Sequence, residues 1–236
     1  MMKMKHYRSA IPAGARERIV STHEPDGANR QVEYILGDEV VGRRWFDQDG
    51  SMGTETPLKN GLVHGTLYYF SALPGGTLKV IFAEPYRNGF AHGTARQWSD
   101  YDGRALGSYT MKRGTGIDLW RAQTYSGRSA YLSEARYIKD GNWHGFEWWL
   151  NENQKTVHKE NHFSENLQHG ITREWNFEGR LKRGYPKYWI RNVQVTKRQY
   201  VRAQAAEPNL PPYREVDNLP RRKFPPEVLA AISETV

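Results

Sequence analysis

The chain has 236 residues, no cysteine, 22 glycines and a hydrophobic share of 38%, below the roughly 45–50% of an average globular domain. It therefore offers no disulfide, thiolate metal site or thiol nucleophile, and its thin, aromatic-rich apolar content suits a layered sheet better than one large core. The net charge of +8 comes from 34 basic and 26 acidic side chains, and the whole excess sits between Arg180 and Ala206, where there are eight cations and no carboxylate.

In chain order, residues 1–31 read as an N-terminal segment and first strand. Met1–Gly14 is basic but has no apolar stretch after its charges, so it does not read as a secretory leader. No run approaches the roughly 18–20 apolar residues of a membrane span. The expected location is the cytoplasm. From residue 32 to residue 190 one unit recurs. Asn60-Gly61-Leu62-Val63-His64-Gly65, Asn88-Gly89-Phe90-Ala91-His92-Gly93 and Asp140-Gly141-Asn142-Trp143-His144-Gly145 share the pattern Asn/Asp-Gly-x-x-His-Gly. Glu165–Gly170 and Lys112–Gly116 are degenerate copies, and Gly42 opens a similar strand. Aligned on Gly42, Gly65, Gly93, Gly116, Gly145 and Gly170, the spacings are 23, 28, 23, 29 and 25 residues. Asn-Gly and Asp-Gly favour the positive φ of tight hairpin turns, and the strand after each glycine alternates. Odd offsets collect Trp45, Tyr68, Phe70, Trp98, Ile117, Leu119, Phe146, Trp148, Leu150, Ile171 and Trp175, the signature of one buried face. The spacing predicts an all-β fold, an elongated antiparallel meander of about six repeated β-hairpins.

These repeats resemble the MORN family, and more closely its bacterial variant, the YwqK-type antitoxin-like repeats. The resemblance rests on Gly-x-x-x-Trp/Tyr-x-x-x-Gly, a Tyr/Phe strand and Asn-Gly-x-x-His-Gly, and covers residues 32–190. It implies a repeat sheet serving as an interaction scaffold, with neutralisation of a toxin as one family role. The copy at Lys112–Gly116 departs from the pattern, being shortened and lacking histidine, as does everything after Trp189.

Residues 191–236 form a different segment, basic and then proline-rich, expected to pack on the sheet. Val195–Ala206 predicts a short helix with Thr196 as its N-cap. Prolines between Asn209 and Pro226 predict extended chain, and a last helix is expected from Pro226 to Ile232.

Four features compete as sites. The histidines His64, His92, His144 and His169 recur with the repeat, about 10 Å apart in a stacked sheet, too far to share one metal; they read as turn structure. His158, Glu160 and His162 lie at alternate positions and form a chemically competent metal set, but the two histidines are roughly 13 Å apart on a regular strand. They read as a solvated face, with a weak metal alternative. Four residues after the aligned glycines, Phe46, Tyr69, Trp120 and Trp149 put aromatics on the face opposite the expected core, where polar residues belong. This stripe is either covered by the C-terminal segment or offered to a partner. Finally, Lys182, Arg183, Lys187, Arg191, Lys197, Arg198 and Arg202 interleave with Tyr185, Tyr188 and Trp189, a composition suited to phosphate and base contacts.

No catalytic motif is present, and no cofactor is expected. The sequence reads as a non-catalytic scaffold binding a protein partner, with an antitoxin-like neutraliser as one form. The alternative is nucleic-acid or anionic-surface binding through Arg180–Arg202, and an enzyme comes third. Sheet edges allow a homodimer.

Overall fold

Six pairs of consecutive residues set the topology: Asn60-Gly61, Asn88-Gly89, Arg113-Gly114, Asp140-Gly141, Glu165-Asn166 and Arg191-Asn192. All twelve have φ between 47° and 83°, the left-handed geometry of the hairpin turns whose twist matches that of paired strands. A computed structural model describes residues 6–22, 30–72, 77–124 and 129–234.

The first sheet contains β1 (Arg16–Thr22), β2 (Arg30–Leu36), β3 (Glu39–Phe46), β4 (Met52–Lys59), β5 (Leu62–Val63), β6 (Gly65–Ala72), β7 (Leu78–Arg87), β8 (Phe90–Ala91), β9 (Gly93–Trp98) and β10 (Ala105–Met111). Its order is β1-β2-β3-β4-β6-β7-β9-β10, with the short β5 on β4 and β8 on β7. The second contains β11 (Gly116–Gln123), β12 (Ala130–Lys139), β13 (Asn142–Leu150), β14 (Val157–Ser164), β15 (Leu167–Gln168), β16 (Gly170–Glu174), β17 (Lys187–Ile190) and β18 (Val193–Val195). These run in sequence order, with β15 pairing β14. The antiparallel meander expected from the repeats is present, but as two sheets rather than one. The chain divides into two compact units between Arg113 and Gly114. That point is the shortened copy of the repeat.

The aligned glycines have a packing reason. Gly65 and Gly170 have φ of +109° and +149°, and a Cβ at either would press on Pro57 or His162 of the preceding strand. Both neighbours lie eight residues earlier, so the close approach is itself periodic.

The alternation holds over most of both sheets. Tyr68, Phe70 and Trp98 are buried in the first, and Leu119, Trp148, Leu150, Ile171 and Trp175 in the second. One copy is out of phase. The glycine of each full turn lies four residues before the aligned glycine, as in Gly61 and Gly65, whereas Gly37 of the first turn lies four before Val41. The face assignment of Trp45 and Phe46 is therefore exchanged. Trp45 pairs with Thr54 and Thr54 with Tyr69 on the stripe row, whereas Phe46 packs against the Ile11, Val32 and Tyr34 cluster.

Each unit lays a terminal segment over its buried face. In the first, Ile11 joins the cluster beside Gly42, and Tyr7 packs on Tyr68 and Phe70 with ring centroids 5.2 and 5.1 Å away. In the second, α1 (Lys197–Ala203) starts at Thr196, whose hydroxyl and Gln199 form a reciprocal capping box. Its Tyr200 is fully buried with Ile171, Tyr188 and Leu210, and its hydroxyl donates to the Pro211 carbonyl at 2.8 Å. Farther on, Phe224 meets Trp148 edge-on at 5.5 Å. The chain then enters α2 (Pro226–Ser233), which buries Val228 and Ala231.

Candidate recognition surfaces

Three of the four repeat histidines, His64, His92 and His169, form part of the turn ladder, whereas the His144 ring stands 6.4 Å from Tyr137. In the first unit, His64 Nδ1 lies 3.1 Å from Asn88 Oδ1, and His92 Nδ1 accepts the Arg113 N–H at 3.2 Å. In the second, His169 Nδ1 accepts the Arg191 N–H at 3.2 Å. Each ring reaches the next left-handed turn, where a backbone donor has no strand partner. Where the shortened copy lacks histidine, Thr115 Oγ1 takes the role and accepts the Asp140 N–H at 3.0 Å.

His158, Glu160 and His162 are not brought together as a ligand set. A bulge between Trp149 and Leu150 interrupts the register at His158, whose ring stands 6.3 Å from Trp149. His162 directs Nδ1 to the His169 carbonyl at 2.9 Å. Glu160 is engaged by Arg173 Nη1 and Arg222 Nε, each at 2.6 Å, so cations already occupy its oxygens. Among the described residues no group of three or more histidine, aspartate or glutamate side chains is placed to hold a metal.

The aromatic stripe falls on a continuous cross-strand row. In the second sheet Trp120 pairs with Glu134, Glu134 with Trp149, Trp149 with Lys159 and Lys159 with Glu174. In the first, Tyr69 pairs with Phe82 and Phe82 with Gln97. Phe46 is not on the row; it packs on the other face with Ile11, Val32 and Tyr34. Among the described residues, the contacts of the C-terminal segment to Trp148, Glu160, Ile171 and Trp175 lie on the face opposite the second-sheet stripe.

Charges alternate with rings along that row. Lys159 Nζ lies 5.5 Å from the Trp149 ring centre, and the Arg136 guanidinium lies 4.4 Å from Trp143. Arg136 also donates to Glu147 at 3.0 Å and contacts Glu134. Burial, reinforced by Glu147 and Asp118, pushes the Glu134 carboxyl up to about 7, while Arg136 pulls the other way. Trp143, on the same face as Arg136, is 39% exposed. Trp143 lies inside the Asp-Gly-x-x-His-Gly motif rather than after its glycine, so the alternation does not mark it; its ladder pairing with Ile138 is visible only in the register.

The basic segment is divided by the fold. Lys182 and Tyr185 converge on Glu174, the phenol donating at 2.8 Å; Arg191 reaches Glu207 at 3.8 Å. Lys197 lies 4.0 Å from Glu215 and 3.8 Å from the Tyr213 ring centre. These carboxylates all flank the acid-free stretch, which is why the sequence segment carries more charge than its surroundings in space. Tyr188 is buried against Tyr200, and neither can stack on a base. Lys187 lies over Tyr185 at 4.8 Å, and Trp189 is half-buried. Arg183, Arg198 and Arg202 are exposed, and none is in an ion pair among the described residues.

Among the described residues no helix is long and apolar enough to cross a membrane. No family model matches the chain, and no curated protein or solved structure compared with it matches either.

Proposed function

We propose that the chain is a non-catalytic recognition module that binds a protein partner through the Trp120–Trp149 row of the second sheet and the adjoining Trp143 and Arg136. The observation that carries this reading is the alternation of tryptophan rings with Arg136 and Lys159 on the face opposite the C-terminal segment. Tryptophan and arginine dominate the energetic centres of protein interfaces, and a repeat sheet extends such a surface one hairpin at a time. The test is affinity purification with the full chain. A partner should be retained by the wild type, lost with Trp143→Ala/Trp149→Ala, and kept when Lys197, Arg198 and Arg202 are changed to Glu. Circular dichroism checks that each variant is folded. The reverse pattern would assign recognition to the basic segment.

That second reading, an anionic surface or nucleic acid, is favoured by the exposure of Arg183, Arg198 and Arg202. It requires affinity to fall steeply between low and physiological salt, because phosphate contacts release counterions. An antitoxin-like role, implied by the resemblance to the bacterial repeats, requires the chain to rescue growth when expressed with a toxin encoded beside it.

A further inference from the structure

The covered face of the second sheet contains a cleft of about 320 Å³ between β13, β14, β16 and residues 211–223, near the lower end of the roughly 300–1,000 Å³ range of small-ligand sites. Its charges do not balance. Arg173, Arg214, Arg221, Arg222 and Lys223 line it against two carboxylates, Glu160 and Asp217, and Asp217 is paired with Arg214 at 3.0 Å.

The interior of the cleft is more specific than this excess. Glu160 Oε1 accepts from Arg173 Nη1 at 2.6 Å, and Oε2 accepts from Arg222 Nε at 2.6 Å and Trp148 Nε1 at 2.8 Å. One carboxylate thus faces two guanidinium groups, and a positive charge is left over. A guanidinium has five N–H donors. Four of those on Arg222 are used, by Glu160 and by the carbonyls of Leu219, Arg221 and Asp217. Arg173 is more deeply placed, with 4% of its side chain exposed. Its Nε donates to Asn218 Oδ1 at 3.2 Å, but its buried Nη2 makes no hydrogen bond. Buried charged donors normally have acceptors, because desolvation without one is costly.

An oxyanion would supply both the missing acceptor and the missing countercharge. At the mouth of the cleft, the exposed Arg221 and Lys223 add charge suited to a dianion rather than to a single carboxylate. Beside Asn161 and His162, the remaining wall has an apolar part, where Phe146 stacks on Trp148 with ring centroids 3.8 Å apart, next to Ile171 and Pro211. We propose that this cleft binds a small phosphate monoester, its phosphoryl group at Arg173 and Arg222 and its apolar body against Phe146 and Pro211.

The experiment is calorimetric titration of the full chain, at constant ionic strength, with phenyl phosphate, inorganic phosphate and benzoate as probes. Phenyl phosphate should bind at one site, at least tenfold tighter than either of the others. Arg221→Ala/Lys223→Ala, which alters only exposed side chains, should weaken it at least tenfold, and Arg173→Met should abolish it. Should Arg173→Met fail to fold, the exposed double variant decides. Arg198→Glu/Arg202→Glu should leave the affinity unchanged. Absence of phenyl phosphate binding, tighter binding of benzoate, or an equal loss in the Arg198/Arg202 variant would overturn the proposal.

Discussion

Glu55 and Glu160 occupy corresponding places in two copies of the repeat, ten residues before Gly65 and Gly170, and each is covered by a terminal segment of its own unit. Glu55 has no exposed surface and receives Arg44 Nε at 2.9 Å and the Tyr7 hydroxyl at 2.6 Å. One carboxylate meets one guanidinium there, and burial followed by the bond to Glu55 pushes the Tyr7 phenol up to about 12. Glu160 receives two guanidinium groups instead, one from β16 and one from the covering segment. The same backbone site is therefore neutral in the first unit and one charge in excess in the second, because Tyr7 reaches one and Arg222 the other. The residue delivered by a terminal segment decides the charge balance of the repeat interior.

Removing each carboxylate is the strongest way to break this comparison. Glu160→Gln leaves Arg173 and Arg222 buried against a neutral group and should destabilise the second unit by about 3–5 kcal/mol. Urea unfolding followed by tryptophan fluorescence reads it, because six of the eight tryptophans (120, 143, 148, 149, 175 and 189) lie after Arg113. Glu55→Gln strands one guanidinium rather than two, and the new amide oxygen still accepts from Arg44. A smaller loss, about 2–3 kcal/mol, is expected in the first unit.

Acid should separate the units less sharply. His158, His162 and His169, all in the second unit, are held below the usual histidine range chiefly by burial. The unfolded chain therefore takes up protons first, so stability is lost as pH falls below about 6.5. Glu160 is also depressed, its two arginines and Trp148 outweighing burial, and adds a loss as pH falls below the ordinary carboxylate range. Glu134 has the opposite sign: its folded value is raised to about 7, so its contribution falls as pH rises from about 4.5 towards 7. Glu134→Gln should remove that opposing slope, leaving the melting temperature of the second unit to increase more steeply across that interval.

Smaller changes refine the same contrast. Tyr7→Phe removes one hydrogen bond to a charged acceptor while keeping the ring packing, and about 1.5 kcal/mol should be lost by chemical denaturation. His92→Ala removes the acceptor for the Arg113 N–H in an exposed turn, and about 0.5–1 kcal/mol is expected. A loss above about 2 kcal/mol there would mean that the turn ladder carries more of the fold than its exposed position implies.

The repeat, its turns and its alternating faces were legible because they rest on local rules: Asn-Gly and Asp-Gly take left-handed turns, and side chains alternate along a strand. The same rules identified Thr196 as a helix cap and placed Trp120 and Trp149 on one row. They failed at Phe46, where alignment on Gly42 was one residue out of phase with the turn at Gly37. They failed again at His158, because a bulge reverses alternation and leaves no compositional mark. The basic segment misled for a related reason: Glu174, Glu207 and Glu215 lie outside it in sequence and beside it in space.

The sequence by itself determined a β-meander of aligned hairpins, since each unit encodes its turn and its inward side chains within fewer than thirty residues. Only the tertiary structure decided that the meander is two sheets, that the C-terminal segment covers the face opposite the tryptophan row, and that Arg222 meets Arg173 across a single glutamate. The physical reason is one of range. Turn conformation and strand alternation are set by neighbouring atoms, whereas a contact such as Glu160 with Arg222, 62 residues apart, is fixed by how a whole segment packs and by which charges remain unbalanced beneath it.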